Sequence, residues 1–174
     1  MTDLKKYIRT IPHWPKKGVM FRDITTLLQH PDAFKYVTDQ FYQRYKDKKI
    51  DVVVGIESRG FIFGAALAYL LQCPFVPVRK AGKLHHKTVR QEYALEYGNA
   101  VVEIHEDAIQ KNQRVLIVDD LIATGGTVLA TIKLVELLGG NVVECAFVVG
   151  LPELKGKDRL KDYSVFCLVE FEGE

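Results

Sequence analysis

The 174-residue sequence has few cysteines, and they lack the spacing that cysteine-based sites need. Cys73, Cys145 and Cys167 are isolated from one another and surrounded by apolar residues. An odd number of isolated cysteines argues against a disulfide framework, and zinc sites use ligands in closely spaced pairs. We therefore expect all three to be small buried apolar residues.

The sequence also lacks long apolar runs, an excess of charge and internal repeats. No apolar stretch is long enough to span a membrane, and residues 1–6 lead into no signal-peptide core, so we expect a cytoplasmic protein with no membrane partner. The 24 basic and 22 acidic residues nearly balance, which gives no support for nucleic-acid binding. Without repeats or linkers, the length favours a single domain over residues 1–174.

The sequence does contain a polar motif that directly follows a strand pattern. Residues 115–118 are four consecutive aliphatic residues, typical of a strand buried on both faces. Asp119 and Asp120 follow, then a small-residue loop at 123–127, and residues 128–138 have helical periodicity. Ligands bind at the carboxyl ends of strands in open α/β sheets, so we expect these polar groups to face a crevice.

The loop and the two carboxylates suit different parts of one ligand. Backbone N–H groups and hydroxyls at a helix start bind phosphate, and here they would come from Ala123, Thr124, Gly125, Gly126 and Thr127. Ionised carboxylates accept hydrogen bonds only, which suits a pair of neighbouring hydroxyls. A ribose 5-phosphate carries both groups. The alternative is that the two aspartates only cap the helix and the glycines only make a turn.

A similar strand, loop and helix unit comes earlier in the chain. Residues 50–56 repeat the buried-strand pattern, the polar run 57–60 follows, and residues 61–71 predict an apolar helix. This alternation predicts an α/β fold with an open, mostly parallel twisted sheet flanked by helices. Neither loop is a nucleoside-triphosphate P-loop, because Phe61 and Thr127 stand where the P-loop lysine would be.

The run 115–127 resembles the phosphoribosyl pyrophosphate (PRPP) signature of the type I phosphoribosyltransferases, in the form typical of members that use adenine. The resemblance implies transfer of the 5-phosphoribosyl group from PRPP to adenine, giving AMP and pyrophosphate in purine salvage. It also implies a homodimer, and Mg²⁺ as cofactor, held mainly through PRPP with assistance from Asp119 and Asp120 rather than by direct protein ligands.

The resemblance also assigns site residues. Asp119 and Asp120 would bind the ribose, and residues 123–127 would bind the 5′-phosphate. The residues that would contact pyrophosphate are Ser58, Arg59, Arg79 and Lys80. Charge-assisted hydrogen bonds from arginine suit a pyrophosphate. The alternative for Arg59 is a capping pair with Glu57.

Residues 1–25 resemble the family segment that covers the purine, here called the hood. By this resemblance, Met20, Phe21 and Arg22 would line the adenine site. Without the family, Phe21 would be a core residue and Arg22 the salt-bridge partner of an acid. Apolar residues at helical spacing predict a short amphipathic helix over residues 3–11.

Residues 81–100 form a long polar segment, typical of a lid. Residues 92–98 and 100–104, the stem of this segment, could pair as a β-hairpin. The resemblance makes the segment, here called the lid, a flexible catalytic hairpin, with Glu96 as the acid/base near the purine and Tyr97 covering the site. His85 and His86 lack the further ligands that a metal site needs, so they receive no role.

Two other functions stay open at this point. A PRPP-sensing regulator would keep the binding loops without the reaction, but it would be expected to carry a nucleic-acid-binding domain, and the chain has neither the length nor the basic patch for one. An enzyme of the same family that acts on hypoxanthine, guanine or xanthine would differ mainly in residues 13–24.

Overall fold

A computed structural model describes residues 3–94 and 98–173. In chain order the strands are β1 (Arg9–Pro12), β2 (Met20–Asp23), β3 (Val52–Ile56), β4 (Phe75–Lys80), β5 (Thr88–Ala94), β6 (Asn99–His105), β7 (Arg114–Ile122), β8 (Asn141–Gly150) and β9 (Val165–Glu170). The helices are α1 (Thr25–Leu28), α2 (Pro31–Tyr45), α3 (Arg59–Leu71), α4 (Gly126–Leu137) and α5 (Gly156–Arg159). Short 3₁₀ turns lie at Leu4–Tyr7 and Pro152–Leu154.

The described strands form a seven-stranded sheet in the order β5-β6-β4-β3-β7-β8-β9 and a separate ribbon of β1 and β2. Pairing is parallel from β4 to β9, whereas β6 pairs antiparallel with β4 and β5. The predicted open, mostly parallel α/β sheet is confirmed. Strands β3 and β7 are neighbours, and the chain leaves β3 for β4 on one side and β7 for β8 on the other side. Where the connections diverge in this way, at a topological switch point, a ligand crevice opens at the carboxyl ends of the strands.

The sheet is buried on both faces because its central strands alternate between two apolar layers. In β7, Leu116 and Val118 pack in the layer that contains α2 and α3, while Val115 and Ile117 pack in the layer that contains α4. All four side chains are fully buried, and each contributes about 1.5–3 kcal/mol relative to an exposed position. This packing fixes the strand whose far end carries the two aspartates.

The amphipathic helix predicted over residues 3–11 is wrong. Only the 3₁₀ turn Leu4–Tyr7 forms, and β1 then pairs antiparallel with β2, with Ile11 opposite Phe21. Thr26 explains the change, because its hydroxyl donates to the Tyr7 carbonyl at 2.7 Å and accepts from the Arg9 N–H at 3.1 Å. These bonds commit backbone groups that a helix would have used.

No helix in the described parts of the chain is both long and apolar enough to cross a membrane. The three cysteines are free thiols, but only Cys145 is buried, whereas Cys73 and Cys167 are half-buried. The expectation of complete burial is therefore wrong for two of them.

A buried carboxylate opposite Leu116 joins α2 to the sheet toward the amino end of β7. Glu144 in β8 is 3% exposed and accepts two hydrogen bonds from Arg44 at 2.8 Å each, one from the Tyr45 hydroxyl at 2.7 Å and one from the Ser164 hydroxyl at 2.6 Å. Burial alone would raise the pKa of Glu144, but the hydrogen bonds, led by those of Arg44, lower it to about 2.

We expect Glu144→Gln to lower the free energy of unfolding at pH 7 by on the order of 2 kcal/mol, because the partly exposed Arg44 loses its counter-charge while the shape is kept. Because the pKa of Glu144 falls from 4.5 to about 2 on folding, its carboxylate stabilises the fold fully at pH values above 4.5. This stabilisation is lost as the pH falls toward 2. Urea unfolding of both proteins at pH 7 and pH 3 measures the effect. An equal difference at both pH values would contradict this account.

Candidate functional site

The two aspartates lie inside a strand rather than after one. The sequence pattern ended the strand at Val118, but β7 continues to Ile122, because β8 is long enough to pair with it as far as Gly150. Asp120 is 3% exposed and Asp119 is half-buried. Both carboxylates therefore stand at the carboxyl edge of the sheet, beside the switch point.

Burial makes this carboxylate pair electrostatically costly. The Oδ1 atom of Asp119 accepts the backbone N–H of Asp120 at 2.8 Å. Burial and the charge of Asp120 raise the pKa of Asp119 well above its ordinary value. Burial also raises the pKa of Asp120, although the charge of Arg59 opposes this shift. The pair is thus suited to a ligand that brings hydroxyl donors or positive charge.

Arg59 is the cation that meets this pair. Its Nε atom lies 2.9 Å from Oδ2 of Asp120, but no aligned hydrogen bond forms, so this buried oxygen keeps unused acceptor capacity. The alternative pairing of Arg59 with Glu57 is wrong. The carboxylate of Glu57 instead contacts Arg79 and Lys83.

Gly60 allows the start of α3 to lie directly against β7. A Cβ atom at Gly60 would lie 2.7 Å from the Val118 carbonyl oxygen, 2.8 Å from Asp119 Oδ1 and 3.0 Å from Asp119 Cα. Real Cβ atoms essentially never approach other heavy atoms that closely, so any side chain here would push the helix away from the aspartates. The glycine after Arg59 is therefore what holds this cation at Asp120.

The small-residue loop turns sharply into α4. Gly125 has a φ of +75°, in the left-handed region, and a Cβ there would lie 2.8 Å from the carbonyl oxygen of Gly156. Residues 119 and 121–128 line a cavity of about 110 Å³, and the first N–H groups of α4 have no partners within the helix. The predicted phosphate residues Ala123, Thr124, Gly125, Gly126 and Thr127 all line this cavity.

Gly156, in a charged segment after β8, supports this loop from outside. The backbone of Gly156 packs against the Ala123 carbonyl so tightly that no side chain would fit between them. Only the glycine itself could have indicated this contact, and a single glycine in a charged segment is a weak signal.

Two of the four predicted pyrophosphate residues, Arg79 and Lys80, contact Glu57. Arg79 donates to both oxygens of Glu57 at 3.3 Å, the backbone N–H of Lys80 donates at 3.0 Å, and the Lys83 ammonium donates at 2.6 Å. Burial alone would raise the pKa of Glu57, but the bonds from Lys83 and Arg79 lower it to about 2. Sequence reasoning missed Lys83, because only the fold brings it beside Glu57. Ser58 stands exposed just before α3.

A second cavity joins the two loops. It measures about 120 Å³, and its lining includes Glu57, Arg79, Lys80, Asp119 and Thr127. Asp119 lines both cavities, so the phosphate loop, the carboxylate of Asp119 and the predicted pyrophosphate residues Arg79 and Lys80 border one continuous region.

The hood contacts this region through Phe21. The Phe21 ring packs edge-on against Trp14, with ring centroids 4.5 Å apart, and Cζ of Arg59 lies 5.6 Å from the Phe21 centroid. The next residue, Arg22, is 7% exposed, donates to the Thr10 hydroxyl at 2.7 Å and has its Cζ 4.4 Å from the Phe171 centroid. Phe21 is half-buried rather than core, and Met20 is also half-buried, in β2.

The lid is only partly described. Glu96 and Tyr97 lie outside the described residues, so their roles stay predictions. The lid stem is an antiparallel hairpin of β5 and β6 that begins at Thr88. Within residues 3–94 and 98–173, no group of three or more His, Cys, Asp or Glu side chains is placed to hold a metal ion.

Comparison with known proteins gives the family. A family model described as a phosphoribosyl transferase domain matches residues 23–174. An adenine phosphoribosyltransferase of Desulfosudis oleivorans is 64% identical over 172 residues, which cover 99% of both chains. The chain belongs to the adenine phosphoribosyltransferase family. The predicted membership of the type I phosphoribosyltransferases is confirmed.

Solved structures of the family share the whole fold. The adenine phosphoribosyltransferase of Thermoanaerobacter pseudethanolicus has a TM-score of 0.94 at 48% identity, covering 97% of this chain and 98% of that one. The Saccharomyces cerevisiae protein, in complex with D-2,5-dideoxy-2,5-imino-altritol 1,6-bisphosphate and adenine, has a TM-score of 0.90 at 41% identity, covering 96% and 97%. The family model begins after most of the hood, whereas these relatives cover nearly the complete chain.

We expect Gly60→Ala to weaken PRPP binding about tenfold or more, because the new Cβ forces Arg59 and Asp119 apart and a displacement near 1 Å has costs of that order. Titration calorimetry with PRPP and magnesium measures the change.

Gly64→Ala, one turn later in α3, is the matched control. Its new Cβ would meet the Phe75 ring at 2.9 Å, away from the carboxylates, so it should cost stability and leave PRPP affinity nearly unchanged. Equal affinity losses in the two variants would show that the contact between Gly60 and β7 has no special role.

Proposed function

We propose that this chain transfers the 5-phosphoribosyl group of PRPP to adenine, giving AMP and pyrophosphate in purine salvage. The observation that carries the proposal is the position of Arg59, which contacts Phe21 of the hood and Asp120 of the carboxylate pair. One side chain thus joins the predicted adenine, ribose and pyrophosphate groups. Family membership over the full length supports the same reaction.

The carboxylate pair binds and stabilises the sugar. Ribose hydroxyls donate to Asp119 and Asp120, whose oxygens include the unused acceptor on Asp120. Displacement at an anomeric carbon passes through an oxocarbenium-like state, and the negative charge beside the ring stabilises it. The 5′-phosphate is bound by the backbone N–H groups and hydroxyls of residues 123–127.

The cations stabilise the departing pyrophosphate. Arg59, Arg79 and Lys80 neutralise its charge, with Ser58 as a further hydrogen-bond donor at the start of α3. The ion pairs of Glu57 keep Arg79 and Lys83 close to the cavity that Asp119 lines. Closure of the lid excludes water, so that the nucleobase rather than water attacks.

Magnesium fits the donors at this site. Carboxylate oxygens suit Mg²⁺, and Asp120 Oδ2 is a buried acceptor that lies near Arg59 without an aligned hydrogen bond, whereas the oxygens of Glu57 already accept hydrogen bonds from Arg79 and Lys83. Asp119 and Asp120 would assist in holding an ion bound mainly by PRPP. Bound there, it would supply positive charge that polarises the pyrophosphate oxygens.

Adenine binds under the hood. Met20 and the backbone of Phe21 and Arg22 line its site, and the side chain of Arg22 stays inside the protein against Thr10 and Phe171. Glu96 accepts the purine proton as general base, and Tyr97 covers the site. Unchanged turnover in Glu96→Ala would remove this role from Glu96.

We further propose that residues 1–174 form one domain that acts in the cytoplasm as a homodimer. Exposed apolar side chains on α3 support a partner surface, since Tyr69, Ile62 and Leu70 are 82%, 39% and 36% exposed. Light scattering would test this state, and a monomer at micromolar concentration would contradict it.

The first test offers PRPP and magnesium with adenine, hypoxanthine or guanine in separate reactions and separates the nucleotides by chromatography. We expect AMP from adenine and little product from the 6-oxo purines. The exchange of donor for acceptor on the purine would leave groups of the site unpaired, which costs a factor of about 10⁴ when the recognised group is lost.

The other outcomes are equally informative. Turnover only with a 6-oxo purine would overturn the assignment of the hood and leave the Asp119 to Thr127 site standing. PRPP binding without turnover of any base would make the chain a PRPP-sensing regulator.

A further inference from the structure

The most completely buried carboxylate in the described chain has no part in the proposed reaction. Glu103, in the middle of β6, is 0% exposed. In the antiparallel part of the sheet it lies opposite Arg79 of β4 and Arg90 of β5. A charge that is shielded from water is stable only when it is paired and hydrogen-bonded, so its partners indicate its purpose.

Those partners are the backbone of one turn and the stem of the lid. Oε1 of Glu103 accepts the N–H groups of Gly82, Lys83 and Leu84 at 2.9, 3.0 and 3.0 Å. Oε2 accepts from Arg90 Nε at 3.0 Å and the Thr88 hydroxyl at 3.3 Å. Burial alone would raise the pKa of Glu103, but the backbone hydrogen bonds and the Arg90 charge keep it lowered.

The turn 82–84, which Glu103 holds, contains Lys83, one of the basic residues that surround Glu57. The Lys83 ammonium lies 2.6 Å from Glu57 Oε1. The Lys83 carbonyl accepts from Arg79 Nη1 at 3.2 Å, while its N–H goes to Glu103. The backbone of Lys83 is therefore fixed on both sides of its Cα, and this fixation sets where its ammonium can reach.

We propose that Glu103 is a positioning residue for the reaction: its carboxylate fixes the turn 82–84 so that Lys83 stands beside Arg79 at the pyrophosphate site. The proposal rests on the proposed function. Three converging N–H bonds explain why a charged group is buried here, since hydrogen bonds to a carboxylate are about twice as strong as neutral ones.

The variant Glu103→Gln removes the negative charge of the side chain and keeps its shape. In Glu103→Gln, the neutral amide oxygen accepts the three N–H groups more weakly than a carboxylate, and the amide nitrogen faces the donors of Arg90 and Thr88, so the side chain no longer satisfies both sets of partners and holds the turn less firmly. We expect the KM for PRPP to rise about tenfold to a hundredfold, as for other displaced positioning groups, with little change in the KM for adenine.

A double-mutant cycle tests whether the effect passes through Lys83. Lys83→Ala alone should also raise the KM for PRPP, and adding Glu103→Gln to it should change that KM less than twofold, because the two changes remove the same contact. Equal effects of Glu103→Gln with and without Lys83 would overturn the proposal.

Glu144→Gln is the matched control, because Glu144 is also a buried carboxylate with several donors but lies opposite Leu116, toward the amino end of β7, and contacts none of the predicted site residues in the described chain. It should lose stability and keep the KM for PRPP, and a rise equal to that of Glu103→Gln would overturn the proposal. If Glu103→Gln fails to fold, Arg90→Gln removes one partner from an exposed position and should raise the same KM less.

Hydrogen exchange tests the anchoring without any catalysis. The amides of residues 82–84 should exchange slowly in the unchanged protein and at least tenfold faster in Glu103→Gln, while those of β7 stay protected. Unchanged exchange at 82–84 would overturn the proposal. Failure of the unchanged protein to make AMP would instead reject the proposed function, so the two failures are distinguishable.

Discussion

The contact of α3 with β7 at Gly60 is the constraint on which the site depends. It places Arg59 against Asp120, next to Asp119, whose pKa is raised by burial and by the charge of Asp120. With any other residue at position 60, α3 would lie farther from β7, and Arg59 would no longer contact Asp120. The parallel pairing of β3 with β7 supplies the geometry, because it brings the ends of both strands to one edge of the sheet.

The same physical device recurs along the crevice. Asp120, Glu57 and Glu103 are shielded acids, and each is matched with a basic side chain: Arg59, Arg79 with Lys83, and Arg90. Flexible basic side chains lose entropy when they are ordered, so internal partners that hold them before a ligand arrives lower the cost of binding an anion. The crevice therefore carries an ordered set of cations around two acids available to a sugar.

The sheet and the ligand loops were predictable, because local patterns encode them. Continuous aliphatic runs mark β3 and β7, and the polar residues after each run lie together as the rule for parallel sheets requires. The family resemblance supplied the ligand and the roles that a pattern alone leaves open. The length of β7 was underestimated, because pairing with β8 rather than the local sequence determines where it ends.

What escaped prediction depends on contacts between distant residues. The hood forms a two-stranded ribbon because the Thr26 hydroxyl hydrogen-bonds the carbonyl of residue 7 and the N–H group of residue 9. Arg59 contacts Asp120, which lies sixty-one residues later in the sequence, rather than its near neighbour Glu57. The anchoring by Glu103 likewise joins segments about twenty residues apart. The spacing of residues within a short stretch of sequence gives no indication of contacts between such distant residues.

The central claim is that both loops bind one PRPP molecule at the switch point of the sheet. A crystal structure of the protein with PRPP and magnesium tests it most directly. The account predicts the 5′-phosphate in the loop 123–127, ribose hydroxyls on Asp119 and Asp120, and pyrophosphate between Arg59 and Arg79. Pyrophosphate bound away from Arg59 and Arg79, or ribose hydroxyls out of reach of both aspartates, would contradict it.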